Sequence, residues 1–226
     1  MNKTNTENRY VQILSTGVHL EGIMSIPDNA KGLVVFVHGS GSSRHSPRNQ
    51  YVAQTLQEGG LATLLFDLLT PSEEQIDLRT RHLRFDISLL AHRTAGAIEW
   101  LELQPYARDF PIGLFGSSTG AAAALIAGAE LPKKVNAVVS RGGRPDLAGE
   151  FLPKVQAPTL LIVGALDEVV IYLNEEALTQ MKPDSEKKLV IVPGASHLFE
   201  EPGTLEHAAR LARDWFQKHL SRVSIG

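Results

Sequence analysis

Cysteine is absent from all 226 residues. Disulfide staples, thiolate nucleophiles, cysteine-ligated zinc and iron–sulfur clusters are therefore excluded together. An excess of one charge sign is also missing. The 22 Lys and Arg face 25 Asp and Glu, a net charge of −3, which gives no electrostatic footing for nucleic acid or an acidic membrane. Long hydrophobic runs are lacking too: the stretch from Ala121 to Ala129 is small and apolar but far too short to cross a bilayer. The opening MNKTNTENRY is polar, without the basic-then-apolar layout of a signal peptide. The expectation is a soluble cytoplasmic protein with no membrane or nucleic-acid partner. Repeats, low-complexity segments and Pro/Gly/Ser-rich linkers are missing as well, so residues 1–226 are expected to form a single domain.

What is present is alternation. Val11 to Leu14 and Val18 to Ile26, split by Ser15-Thr-Gly17, read as a hairpin. Gly32 to His38 is a continuous β-rich apolar run ending in glycine, the pattern of a strand buried on both faces. Similar runs are Leu61 to Leu68, Phe110 to Phe115, Val135 to Val139, Thr159 to Val163 and Leu189 to Val192. Helical patterns lie between them: Pro47 to Gln57, Arg81 to Leu103, Thr119 to Ala129, Ile171 to Met181 and Thr204 to His219, with Trp100 and Trp215 as packing residues. Buried strands alternating with helices predict an α/β fold, a mostly parallel sheet with helices on both faces and an antiparallel hairpin at one edge. Ligand sites in such sheets form beyond the carboxyl ends of the strands.

Gly116-Ser-Ser-Thr-Gly120 follows a strand and opens an alanine-rich helix. It fits G-x-S-x-G with Ser118 at the centre, a turn so tight that flanking glycines are needed and the serine oxygen is lifted above the sheet. The same helix start aims amide groups and a positive dipole end where an oxyanion would develop. A plain helix cap at Ser117 or Ser118 is the alternative; Ser117 has the wrong glycine spacing for the nucleophile.

A serine hydroxyl needs a base, and the base an orienting acid. Of eight histidines, His197 lies in the loop after the last strand, on the side of the sheet where Ser118 is expected, and is the candidate general base. Asp167, just beyond the strand ending at Val163, is the candidate acid, with Glu168 second; Asp146 is expected to cap a short helix after Pro145. The chain order Ser, Asp, His is that of α/β-hydrolases. The oxyanion donors are expected to be the backbone N–H groups of Thr119 and Ser40, the latter in the glycine loop that begins at His38, with His38 bracing that loop. Arg141, Arg44 and Arg48 fall near strand ends or in this loop. One or more of them binds a substrate carboxylate or phosphate, or else they are surface arginines or an internal pair with Asp67, the plainer alternative.

His38-Gly-Ser-Gly-Ser42, Gly116-Ser-Ser-Thr-Gly120, Gly164-Ala-Leu-Asp167 and Pro193-Gly-Ala-Ser-His197 together resemble an α/β-hydrolase of the dienelactone-hydrolase-like branch. The resemblance spans the chain from the first parallel strand to the last helix. It implies an eight-stranded sheet and hydrolysis of a small ester or lactone with no metal or organic cofactor. The enzymes that name the branch use a cysteine nucleophile; serine here points instead to its esterases and acyl hydrolases. Only about twenty residues separate Val139 from Thr159, too few for the cap many relatives insert, so the site is expected to be open unless a second subunit of a homodimer covers it. An acyltransferase, a cofactor-free perhydrolase and a non-catalytic binding protein of the same fold are the competing functions.

Overall fold

Eight apolar runs become the eight strands of one sheet. A computed structural model describes residues 5–220. The hairpin is β1 (Thr6–Ser15) and β2 (Val18–Pro27), followed by β3 (Leu33–Val37), β4 (Ala62–Phe66), β5 (Ile112–Ser117), β6 (Val135–Arg141), β7 (Thr159–Gly164) and β8 (Lys187–Val192). Their spatial order is β1-β2-β4-β3-β5-β6-β7-β8. β1–β2 and β2–β4 pair antiparallel and every other neighbour is parallel. All residues of β3, β4, β5 and β7 are buried, as strands covered on both faces require. The edges differ: β1 alternates toward solvent, and only Val192 of β8 is fully buried.

Two apolar layers flank the sheet. Helices α1 (Pro47–Glu58) and α6 (Thr204–His219) cover one face through Val52, Leu56, Ala212 and Phe216. Helices α3 (Ile87–Glu102), α4 (Thr119–Glu130) and α5 (Glu168–Gln180) cover the other. Both tryptophans pack on these layers, with the Trp215 indole N–H donating to Pro158 O at 3.4 Å. The α/β-hydrolase architecture is thus the observed one.

The chain departs from expectation between β4 and α3. A helix, α2 (Pro71–Thr80), forms where none was expected, and the pattern beginning at Arg81 is not continuous. Arg81 takes φ 57°, a 3-10 turn spans Leu83–Phe85, and α3 restarts with Asp86 accepting the Leu89 N–H at 2.9 Å. Asp77 explains the break: buried, it accepts from the backbone of Leu83 and Arg84 and from Arg84 Nε, tying α2 to that turn. Between β6 and β7, residues Pro145–Lys154 form 3-10 turns packed on α4, with no inserted domain. Asp146 sits in the first turn but does not cap it; its carboxylate takes both Nε and Nη2 of Arg144.

Candidate active site

β5 ends at Ser117 and α4 begins at Thr119, so Ser118 alone makes the corner. Its backbone sits at φ 50°, ψ −124°, a conformation costing a non-glycine residue about 1–3 kcal/mol and held only where its surroundings enforce it. The enforcement is steric. A Cβ at Gly116 would lie 2.4 Å from Ala121 Cα, and one at Gly120 2.2 Å from Val37 O, so helix and strand approach as only glycine permits. The corner is also pinned: Ser118 N–H donates to Arg141 O at 3.3 Å and Ser118 O accepts from Arg144 N–H at 3.1 Å. Ser118, half-buried, opens into a cleft of about 260 Å³ at the carboxyl edge of the sheet.

His197 lines the same cleft, carried by the loop that follows β8. The loops after β7 and β8 are stitched together by Leu166 N–H donating to Ala195 O at 3.0 Å. This brings Asp167 to the imidazole. Asp167 occupies the N-cap of α5, where a carboxylate ordinarily accepts amides of the first helical turn. It makes no such bond; Oδ2 lies 2.6 Å from His197 Nδ1 instead. A carboxylate at that distance fixes the ring proton on Nδ1 and leaves Nε2 as the basic nitrogen. The Asp167 side chain is 15% exposed against 40% for the imidazole, so the carboxylate is the more shielded of the two. Glu168 is exposed at the start of α5.

The two expected oxyanion donors are neighbours. Thr119 N–H, first in α4, has no acceptor within the helix. Ser40 N–H donates to Thr119 Oγ1 at 3.0 Å, so it can meet an oxyanion only by exchanging that partner. His38 braces the loop below: Nε2 accepts Leu68 N–H at 3.0 Å and Nδ1 donates to Gly39 O at 2.9 Å. Burial holds its pKa below the ordinary value, consistent with a neutral ring.

The three arginines part company. Arg44 pairs with Asp67 and Glu21 and faces the outer surface beside Tyr10 and Gln12, which removes it from the expected substrate contacts. Arg48 lines the cleft and pairs with Glu200 at its rim, 3.2 Å away. Arg141 lines the cleft floor, 6% exposed, with Nη2 3.0 Å from Ser117 Oγ and 3.5 Å from Asn49 Oδ1. Burial, and then the nearby Arg48 charge, lower its pKa to about 10. Sequence reasoning missed Asn49. Its signal was a polar residue on the stripe Asn49, Val52, Ala53, Leu56 that α1 buries.

The sequence model of the dienelactone hydrolase family matches residues 20–221. The chain belongs to the dienelactone hydrolase family. Within it, the chain is similar to a crystal structure of the dienelactone hydrolase from Anabaena variabilis, with 58% identity and a TM-score of 0.93 over 95% of this chain and 99% of that one. Est1E from Butyrivibrio proteoclasticus matches at 18% identity and a TM-score of 0.76, over 93% of this chain and 98% of its own. At that identity the likeness speaks for the fold alone. Two Mycobacterium tuberculosis proteins provisionally named phosphoribosyl transferases are 56% identical over 210 residues, which is 93% of this chain and 46% of theirs. The chain thus spans about half the length of the curated relatives it matches. Family and fold support a hydrolase. Among the described residues no helix is long and apolar enough to cross a membrane.

Proposed function

We propose that this family member is a serine hydrolase that cleaves a carboxylic ester, lactone or related acyl bond through an acyl-enzyme. The observation that carries the reading is the carboxylate of Asp167 turned from its helix cap onto His197 Nδ1 at 2.6 Å, while His197 and the strained Ser118 line one cleft. Ser118 Oγ attacks the carbonyl carbon as His197 Nε2 takes its proton. The developing oxyanion is met by Thr119 N–H, with Ser40 N–H joining once the Thr119 hydroxyl releases it. The C–O bond then breaks and His197 protonates the departing alcohol. Water attacks the acyl-enzyme, giving its proton to His197, and Ser118 leaves with that proton to complete hydrolysis. No cofactor enters these steps.

The test is covalent labelling by a fluorophosphonate together with a panel of ester and lactone substrates. Labelling and turnover are expected in the wild type and lost in Ser118→Ala, with turnover falling by several orders of magnitude. Wild-type protein that neither labels nor turns over any panel member would refute the reading. The name of the mycobacterial relatives motivates one further arm. Consumption of a phosphoribosyl donor by this chain alone, unaffected by Ser118→Ala, would favour transfer over hydrolysis.

A further inference from the structure

Two arginines are buried among the described residues, Arg93 and Arg141, and only Arg93 meets a carboxylate, that of Glu73. The partly buried Arg84 and Arg44 pair with Asp77 and with Asp67 and Glu21. Arg141, 6% exposed, touches only neutral groups, Ser117 Oγ, Asn49 Oδ1 and the face of Phe199, whose ring centre is 5.7 Å away, and the charge nearby is the like charge of Arg48. Its Nε–H is buried with no partner, as are those of Arg44 and Arg93, but those two guanidinium groups have carboxylates on their other nitrogens and Arg141 does not. A charge withdrawn from water without a counter-ion is unfavourable, and folds retain such groups where a ligand supplies the missing charge. The cleft floored by Arg141 fits that account. It is also lined by Arg48, none of its described lining residues is acidic, and Leu198 is its one apolar side chain. Ligand pockets are ordinarily lined mostly by apolar groups; this one is polar and cationic beside the candidate nucleophile.

We propose that Arg141, assisted by Arg48, forms an anion subsite next to Ser118, and that the acyl substrate carries a carboxylate or phosphate group seated there. The substrate half of this statement rests on the serine-hydrolase reading; the subsite itself is a statement about binding and is tested separately. Ser117 and Asn49 both accept from one nitrogen, Nη2, so the guanidinium is tethered at one corner and has further donors for a charge-assisted contact with an oxyanion group. Glu200 competes for Arg48 from the rim, where its side chain is 63% exposed, so an incoming anion displaces a weak surface pair.

Two measurements decide it. In the first, kcat/KM is compared for 4-nitrophenyl hemisuccinate and neutral 4-nitrophenyl valerate on wild type, Arg141→Gln and Arg48→Gln. Wild type is expected to prefer the anionic ester. Arg141→Gln should lower the anionic rate constant by about tenfold to hundredfold more than the neutral one, Arg48→Gln by less, and added salt should erode the preference. A purely structural Arg141 would depress both esters alike, and that result overturns the proposal. In the second, succinate and inorganic phosphate are titrated calorimetrically into wild type and both variants. Binding of either that weakens in the variants supports the subsite, and the tighter anion identifies the group. Binding of neither to the wild type overturns the proposal even if Arg141→Gln fails to fold. Esterase activity without anion binding removes the subsite and leaves the hydrolase reading intact, whereas Arg141-dependent binding without fluorophosphonate labelling does the reverse.

Discussion

Helix α4 contains two glycines that should respond in opposite directions to the same substitution. Helix propensity alone favours alanine over glycine at both by about 0.5–1 kcal/mol. At Gly128 the added Cβ would meet Val138 Cγ2 at 3.5 Å and Val135 Cγ1 at 3.7 Å, ordinary contact distances. Gly128→Ala is therefore expected to stabilise the protein by roughly that propensity gain. At Gly120 the Cβ would lie 2.2 Å from Val37 O and 2.5 Å from His38 O. Both are backbone atoms of the strand and loop beneath, so no rotamer change relieves them. Carbon–oxygen contacts settle near 3.3–3.6 Å, so α4 would have to withdraw by about 1 Å. Overpacking of this kind costs about 1–3 kcal/mol, which outweighs the propensity gain. The two variants should then differ by about 2 kcal/mol or more in urea denaturation, and by several degrees in Tm. Gly120→Ala should also lose activity steeply, since a displacement near 1 Å at a reacting centre costs about a hundredfold. Gly120→Ala as stable as wild type, or Gly128→Ala as damaging as Gly120→Ala, would refute the steric account of the corner at Ser118.

Asp167→Asn should keep the fold yet lower kcat by roughly 10³–10⁴-fold, because an amide does not stabilise a protonated His197; steady-state ester hydrolysis checks this, and a loss under about tenfold counts against the proposed role. His38 sets an acid limit on stability. Burial depresses its folded pKa below the ordinary 6.5, so the unfolded chain binds the extra proton as pH falls below that value. Stability should then decline by up to about 1.4 kcal/mol per pH unit until the folded ring titrates. His38→Gln should flatten that slope in urea melts between pH 7 and pH 5, and parallel slopes in both proteins would contradict the assignment. Burial opposes ionisation of Asp77, but Arg84 and the amides of Arg84 and Leu83 outweigh it and hold the carboxyl below the usual range. Asp77→Asn should cost about 2–3 kcal/mol in the same melts, less than a fully enclosed pair because Arg84 remains 19% exposed.

The sheet was legible because burial on both faces leaves unbroken apolar runs, and the corner at Ser118 because its glycines are required by contacts a few residues away. Segment α2 was not, since PSEEQIDLRT is charged and buries little beyond Asp77. A local signal did exist there. Thr70 and Glu73 form a reciprocal capping box with Pro71 at the first helical position, which is a start signature independent of apolar periodicity. The continuous helix expected from Arg81 failed for a tertiary reason, the grip of Asp77 on the following turn. Among the arginines, sequence placed each near a strand end but not its direction. Arg44 and Arg141 both lie near the carboxyl edge, yet one meets two carboxylates and the other none. That difference is set by which side chains the strand order brings alongside, and Glu21 and Asp67 are far from Arg44 along the chain.

Strand β8 is the rim of the sheet, pairing on one side only, and most of its residues are partly or fully exposed. His197 hangs from the loop beyond it, while Ser118 rises from β5 in the buried middle. The proposed proton acceptor and the proposed nucleophile thus belong to regions of unequal local stability. Fraying of that rim would part them while the central strands stay closed, so on the proposed reading the endurance of the reactive centre and the endurance of the folded body are separate properties.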